Sequence, residues 1–143
     1  GIVYLQRPTS HLKGMAPEFR RTEESIINDE MKKMDLFGET EIHNFLRKYK
    51  IIFKEKHKLD DVIFDFYLPT LRVCIEFDGR QHFEPIERFG GVDTLERIKS
   101  NDKVKNEYCE EHYIELVRIK YDKIDDIYRI LWDNLAHKIK KTD

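Results

Sequence analysis

Apolar positions along this chain follow first a helical rhythm, then a strand rhythm, then a mixture of the two. Residues 61–83, DVIFDFYLPTLRVCIEFDGRQHF, hold two short runs rich in valine, isoleucine, phenylalanine and tyrosine, parted by Pro69-Thr70. That is the pattern of an antiparallel hairpin. Upstream, GETEIHNFL (38–46) has helical spacing, with Ile42, Phe45, Leu46 and Tyr49 on one inward stripe. Downstream, TLERIKSNDKVKNEYCEEH has helical composition, with Leu95, Ile98, Val104, Tyr108 and Cys109 as its apolar positions. IELVRIKY then reads as a buried strand, and IDDIYRILWDNLAHKI as a closing amphipathic helix with Ile124, Ile127, Leu131 and Leu135 inward. A further helix over 21–34 is predicted to start at Thr22 as N-cap, with Glu23 and Glu24 in its first turn complementing the dipole. Strands framed by helices predict an α/β fold, a three-layer α/β/α sandwich ordered helix-strand-strand-strand-helix-strand-helix. The expected division is an N-terminal arm over 1–20, a linker helix over 21–37 and a single domain over 38–143.

Acidic side chains interrupt the hairpin where a core alone would want none. A turn centred between Thr70 and Leu71 sets Asp65 opposite Glu76, and strand alternation puts Asp78 on the face of Glu76. Facing like charges destabilise a strand pair unless something positive lies between them, and a hard divalent cation with oxygen ligands answers that need. His82 follows at once, a residue type able to move protons near neutral pH. Gly79 suits a sharp exit from the strand that turns His82 back toward the acids. On the helix before the hairpin, Glu39 lies nearer the inward stripe than Glu41 and is taken as the carboxylate that reaches the site. Clustering alone also predicts that Asp65→Ala relieves repulsion and stabilises the metal-free chain.

These residues resemble the PD-(D/E)XK nuclease superfamily, in the branch of very-short-patch repair endonucleases and phage intron-encoded homing endonucleases. Asp65 matches the superfamily's aspartate, although Ile63 and Phe64 precede it in place of a proline. Glu76-Phe77-Asp78 matches the acid-any-lysine motif with aspartate where the lysine stands, and IEFDGRQHF is much like the run carried by phage-type relatives. The resemblance implies a restriction-endonuclease-like core and a magnesium-dependent endodeoxyribonuclease (Mg2+ or Mn2+) acting on double-stranded DNA to leave 5′-phosphate and 3′-hydroxyl ends. It implies catalytic roles for Glu39, Asp65, Glu76, Asp78, His82 and Asp102, with Asp65, Glu76 and Asp78 as metal ligands. Asp102 would orient and polarise His82. A mismatch-repair nickase is the closest alternative, and a catalytically silent nucleic-acid-binding module a more distant one. Carboxylates facing phosphate speak against the silent module.

Charge adds little global attraction for DNA: the formal net charge is −2. Local basic residues are therefore the expected contacts, namely Arg80, Lys54, Lys56, Lys58 and Lys105. Arg7, Lys13, Arg20 and Arg21 mark the N-terminal arm, where GIVYLQRPTSHLKGMAPEF resembles the end of a zinc-ribbon-like repeat. Met15 to Phe19 occupy the position of its cysteine pair, so no zinc site is assigned. A chain opening on Gly1 is expected to be a fragment or processed form, with DNA-reading elements in a preceding portion. Cys74 and Cys109 lack metal-site spacing and read as reduced core thiols. No apolar run is long enough to span a bilayer, so no membrane partner is expected and the protein is placed in the cytoplasm, that of the host if phage-encoded. The sequence admits a homodimer.

Overall fold

The computed structural model describes residues 22–86 and 90–142; the arm expected over 1–20 lies outside the described residues, as does Phe89. Helix α1 (Glu23–Lys48) starts at Thr22, whose hydroxyl accepts the Ser25 N–H at 3.0 Å, satisfying one of the unpaired donors of the first turn. It ends with Arg47 and Lys48 in its last turn, where positive charge suits the dipole. The helix runs unbroken through Gly38. The linker helix and the first domain helix, expected as two, are therefore one 26-residue rod. Gly38 is there for space: a Cβ at this position would stand 2.5 Å from the Phe77 ring, so only glycine lets α1 lie this close to the sheet.

After α1 come β1 (Lys54–Leu59), β2 (Val62–Leu68) and β3 (Val73–Asp78), a 3-10 turn at Arg80–His82, α2 (Gly91–Glu111), β4 (Glu115–Lys120), a second 3-10 stretch at Tyr121–Asp126, and α3 (Ile127–Thr142). The sheet order is β1-β2-β3-β4, antiparallel as far as β3 and parallel between β3 and β4. Among the described residues the protein is thus mixed α/β, with a four-stranded mixed sheet and three helices. β3 is buried along its whole length. β4 is an edge strand rather than an enclosed one, and of its residues Val117 and Ile119 are buried.

Ile42, Phe45 and Leu46 of α1 and Ile127, Leu131 and Leu135 of α3 cover one face of the sheet, against Phe66, Leu68, Val73, Ile75 and Phe77. Each such side chain contributes about 1.5–3 kcal/mol on burial. The other face carries a smaller cluster of Phe64, Cys74, Cys109 and Ile114, beneath α2. Val104, expected on the apolar stripe of α2, is 51% exposed, and Cys109 is the residue that this helix buries. Both cysteines are free thiols in that layer.

The ladder between β1 and β2 is broken at one place. The two strands pair through Glu55↔Phe66 and His57↔Phe64, but Lys56, which stands opposite Asp65, has a left-handed φ of 47° and interrupts the pairing. Side-chain phase changes across the break. Phe66 and Leu68 pack on the α1/α3 face, whereas Phe64, which simple alternation would put with them, packs toward α2. Among the described residues no helix is long and apolar enough to cross a membrane.

Gly38→Ala should be destabilising even though alanine is the better helix former by about 1 kcal/mol, because overpacking against a buried ring costs about 1–3 kcal/mol. Urea denaturation should show a lower midpoint for Gly38→Ala and partial recovery when Phe77→Leu is added. A Gly38→Ala variant more stable than the parent would mean that the helix is free to move off the sheet.

Candidate active site

Backbone pairing of β2 and β3 reaches Phe66↔Ile75, and beyond that rung side chains take over. The Asp65 N–H donates to Glu76 Oε2 at 2.5 Å, and the Phe77 N–H donates to Asp65 Oδ2 at 2.9 Å. Each carboxylate thus substitutes for a missing ladder acceptor, and each amide offsets part of the cost of burying a negative charge. Their other oxygens meet lysines. Lys56 Nζ lies 3.0 Å from Asp65 Oδ1 and 3.2 Å from Glu39 Oε2, while Lys105 Nζ donates to Glu76 Oε1 at 2.5 Å. Glu39 is therefore the α1 carboxylate brought to the strand fork.

A second group stands at the end of β3. Both oxygens of Asp78 lie 3.0 Å from Arg118 Nη1, and the same guanidinium donates to the Asp102 carbonyl at 3.1 Å and to Asn106 Oδ1 at 3.1 Å. His82 Nδ1 is 2.8 Å from Asp102 Oδ2 and 3.8 Å from Asp78 Oδ1. The 3-10 turn makes this geometry: the His82 N–H donates to the Gly79 carbonyl at 3.0 Å, folding the imidazole back beneath the strand end. Gly79 itself is extended (φ −68°, ψ 173°), so it is not there for unusual dihedrals. A Cβ on it would come within 2.8 Å of Asp35 Oδ1 and 2.5 Å of Gln81 Oε1, so a side chain here would push the ends of those two residues aside.

Burial pushes the carboxyls of Asp35, Glu39, Glu76 and Asp78 above their ordinary range. For Glu76 the nearby Asp65 adds to the rise and Lys105 opposes it; for Asp78 Arg118 and His82 oppose it. Such a concentration of raised carboxyls marks a place where acids are held out of water. Their oxygens are hard donors of the kind that suit Mg2+ or Mn2+. Asp78, His82 and Asp102 offer ligand atoms within 4.8 Å of one another, although Arg118 already supplies positive charge to them.

The structure therefore divides the expected metal ligands. Asp65 and Glu76 meet at the fork, and Asp78 belongs with Arg118, His82 and Asp102. Two residues expected to contact DNA are instead paired with site acids, Lys56 with Glu39 and Asp65, and Lys105 with Glu76. Arg80 pairs with Glu84 at 2.9 Å, and Lys58 lies 3.9 Å from Asp61. Lys54 is exposed on β1. Asp35, Gln81 and Arg118 escaped the sequence reading. Asp35 sits one helical turn before Glu39, and Arg118 is a charge within an apolar strand, the criterion that singled out Glu76; Gln81 carries no such signal. Beside the site, a groove of about 300 Å³ is lined by Ile26, Ile27, Met31, Met34, Tyr121 and the site residues Asp35 and Arg80, among others.

No protein-family model matches the chain, and no solved structure does. Over 59 residues the chain is 34% identical to uncharacterized protein 094L of frog virus 3 (isolate Goorha), a stretch covering 40% of this chain and 38% of the viral protein's length.

Removing Asp65 orphans the Phe77 amide, so Asp65→Ala should lose stability, about 1–3 kcal/mol, instead of gaining it by relief of repulsion. Asp65→Asn, which keeps an acceptor for that amide, should melt close to the parent. Equal melting temperatures for the alanine and asparagine variants would show that the Phe77 N–H bond is not needed.

The raised carboxyls also fix a pH dependence. Asp35, Glu39, Glu76 and Asp78 hold protons more tightly folded than unfolded, so the stability they confer is present at low pH and is lost as pH rises through their folded values. In EDTA this should lower the melting temperature as pH rises above the ordinary carboxyl range of about 4. Glu39→Gln should flatten the fall. A slope identical in parent and variant would remove Glu39 from the set.

Proposed function

We propose that this chain is a metal-dependent DNA endonuclease domain of the PD-(D/E)XK superfamily, in its histidine-using branch, with a restriction-endonuclease-like core. The observation that carries this reading is the meeting of Glu39, Asp65 and Glu76 at the parting of two strands, next to an imidazole hydrogen-bonded to Asp102. Asp65 and Glu76 would hold the cation. When bound, a divalent cation lowers the pKa of a water and neutralises charge on the scissile phosphate.

The chain's own residues supply the remainder. With Nδ1 of His82 directed at Asp102, Nε2 is the nitrogen left to take a proton from the attacking water or give one to the leaving oxygen. Asp102 fixes the ring orientation, and Arg118 in turn holds Asp102 through its carbonyl and Asp78 through its carboxylate. Of the basic groups expected to meet DNA phosphates, Lys54, Lys58 and Arg80 are those not paired with site acids, Lys58 and Arg80 lying instead beside Asp61 and Glu84; a phage or mobile-intron homing enzyme is the biological setting that the IEFDGRQHF run supports.

Supercoiled plasmid should be cut with Mg2+ and spared in EDTA; failure to cut in Mg2+ or Mn2+ would sink the enzyme reading. His82→Ala should lose about 10²–10⁴-fold in single-turnover cleavage, the usual share of general acid-base catalysis. If Asp102 acts through His82, adding Asp102→Asn to His82→Ala should slow the reaction little further. Full additivity would give Asp102 a separate role, and normal cutting by His82→Ala together with failure of Lys105→Ala would move the proton-transfer role to the lysine.

A further inference from the structure

The two lysines at the strand fork are held in different ways. Lys105 reaches Glu76 from α2 with 22% of its side chain exposed, against a carboxylate that is 3% exposed. Lys56 comes from the edge strand β1, has 58% of its side chain exposed and bridges two acids that belong to different elements. Its ammonium takes Asp65 Oδ1, the oxygen that the Phe77 amide leaves free, together with Glu39 Oε2. A cation approaching those oxygens must contend with it.

The backbone is arranged for this contact. A lysine at φ 47° within a strand is strained by about 1–2 kcal/mol, and the ladder rung it would have shared with Asp65 is missing. The residue with this outlier is the one whose ammonium meets the two acids. The exposed ammonium of Lys56 regains water as it leaves, and an incoming cation takes over its charge beside the half-buried Glu39 and Asp65, whereas withdrawing Lys105 would strand a buried Glu76.

Resting on the metal-dependent reading of the site, we propose that Lys56 is its displaceable counter-ion: it holds Glu39 and Asp65 together in the metal-free protein and yields both oxygens to an incoming divalent cation. Metal affinity is then set partly by competition with this side chain, and a lysine freed toward solvent beside the metal faces the path of the DNA phosphate. Lys56 is thus a positioning residue before the metal enters and a phosphate contact afterwards.

Isothermal titration of the whole chain with Mn2+ tests this without any need for cleavage. Lys56→Gln should bind Mn2+ about tenfold more tightly than the parent, as expected when one adjacent unit charge is removed. Lys56→Arg should bind it more weakly, because a guanidinium grips two carboxylates with fixed donors. Lys58→Gln removes a neighbouring charge on the same strand and should change affinity less than about twofold. In the parent, Mn2+ should increase acylation of Lys56 by an amine-reactive ester relative to Lys54, read by mass spectrometry. Equal affinities for parent and Lys56→Gln, an equal gain in Lys58→Gln, or unchanged acylation of Lys56 would each overturn the counter-ion role while leaving the metal site standing. Absence of Mn2+ binding by the parent would overturn the metal reading itself, and the counter-ion role with it.

Discussion

The exchange of hydrogen bonds where β2 and β3 part governs the arrangement around it. An antiparallel pair that separates leaves amides and carbonyls without partners, and a buried orphan amide is costly. Here the Asp65 amide finds the Glu76 carboxylate and the Phe77 amide finds that of Asp65, so the strands can diverge without unpaired donors. The same bonds fix which oxygen of each acid is spent and which remains. The reactive face of the fork is therefore set by backbone geometry before any cation arrives, which is the preorganisation that electrostatic catalysis needs.

Positive charge reaches the acids from three directions. Lys56 extends from an edge strand, Lys105 from α2 and Arg118 from the opposite edge strand. The smaller apolar cluster beneath α2 gives that helix a modest grip on the sheet, and the bonds from Lys105 to Glu76 and from Arg118 to the Asp102 carbonyl and Asn106 contribute to docking it. Site and fold are coupled on this face. Truncating Glu76 strands Lys105 of α2, and truncating Asp78 strands the Arg118 that holds Asp102, so losses of activity there need a stability control before they are read as chemistry.

How much of this was legible in the chain depended on whether a residue's partners were local. The strand period and Pro69-Thr70 turn placed Asp65 against Glu76, and the 3.6-residue period placed Ile42, Phe45 and Leu46 inward with Glu39 nearby, because both rest on short-range geometry. The pairings of the lysines were not legible, since a lysine in a charged run looks solvated until the tertiary fold sets a carboxylate beside it. Lys56 is the sharpest case: its left-handed backbone has no mark in KEKHKL. Asp35 and Gln81 come together around Gly79 only because α1 lies so close to the sheet, a contact set by Gly38 and Phe77. The unbroken course of α1 through Gly38 went unseen because glycine in a helical pattern reads as an interruption.

That unbroken course makes α1 a lever arm with a fixed phase. From Glu23 to Glu39 the rod is roughly 24 Å long at 1.5 Å per residue, and each residue turns it by about 100°. Inserting or deleting one residue between Met31 and Gly38 would turn the helix before it through that angle relative to Glu39 and take Asn28 and Met31 out of their buried settings. The segment 23–37 thus behaves as a torsional gauge, whose length keeps the buried Asn28 and Met31 in phase with the Glu39 that reaches the strand fork.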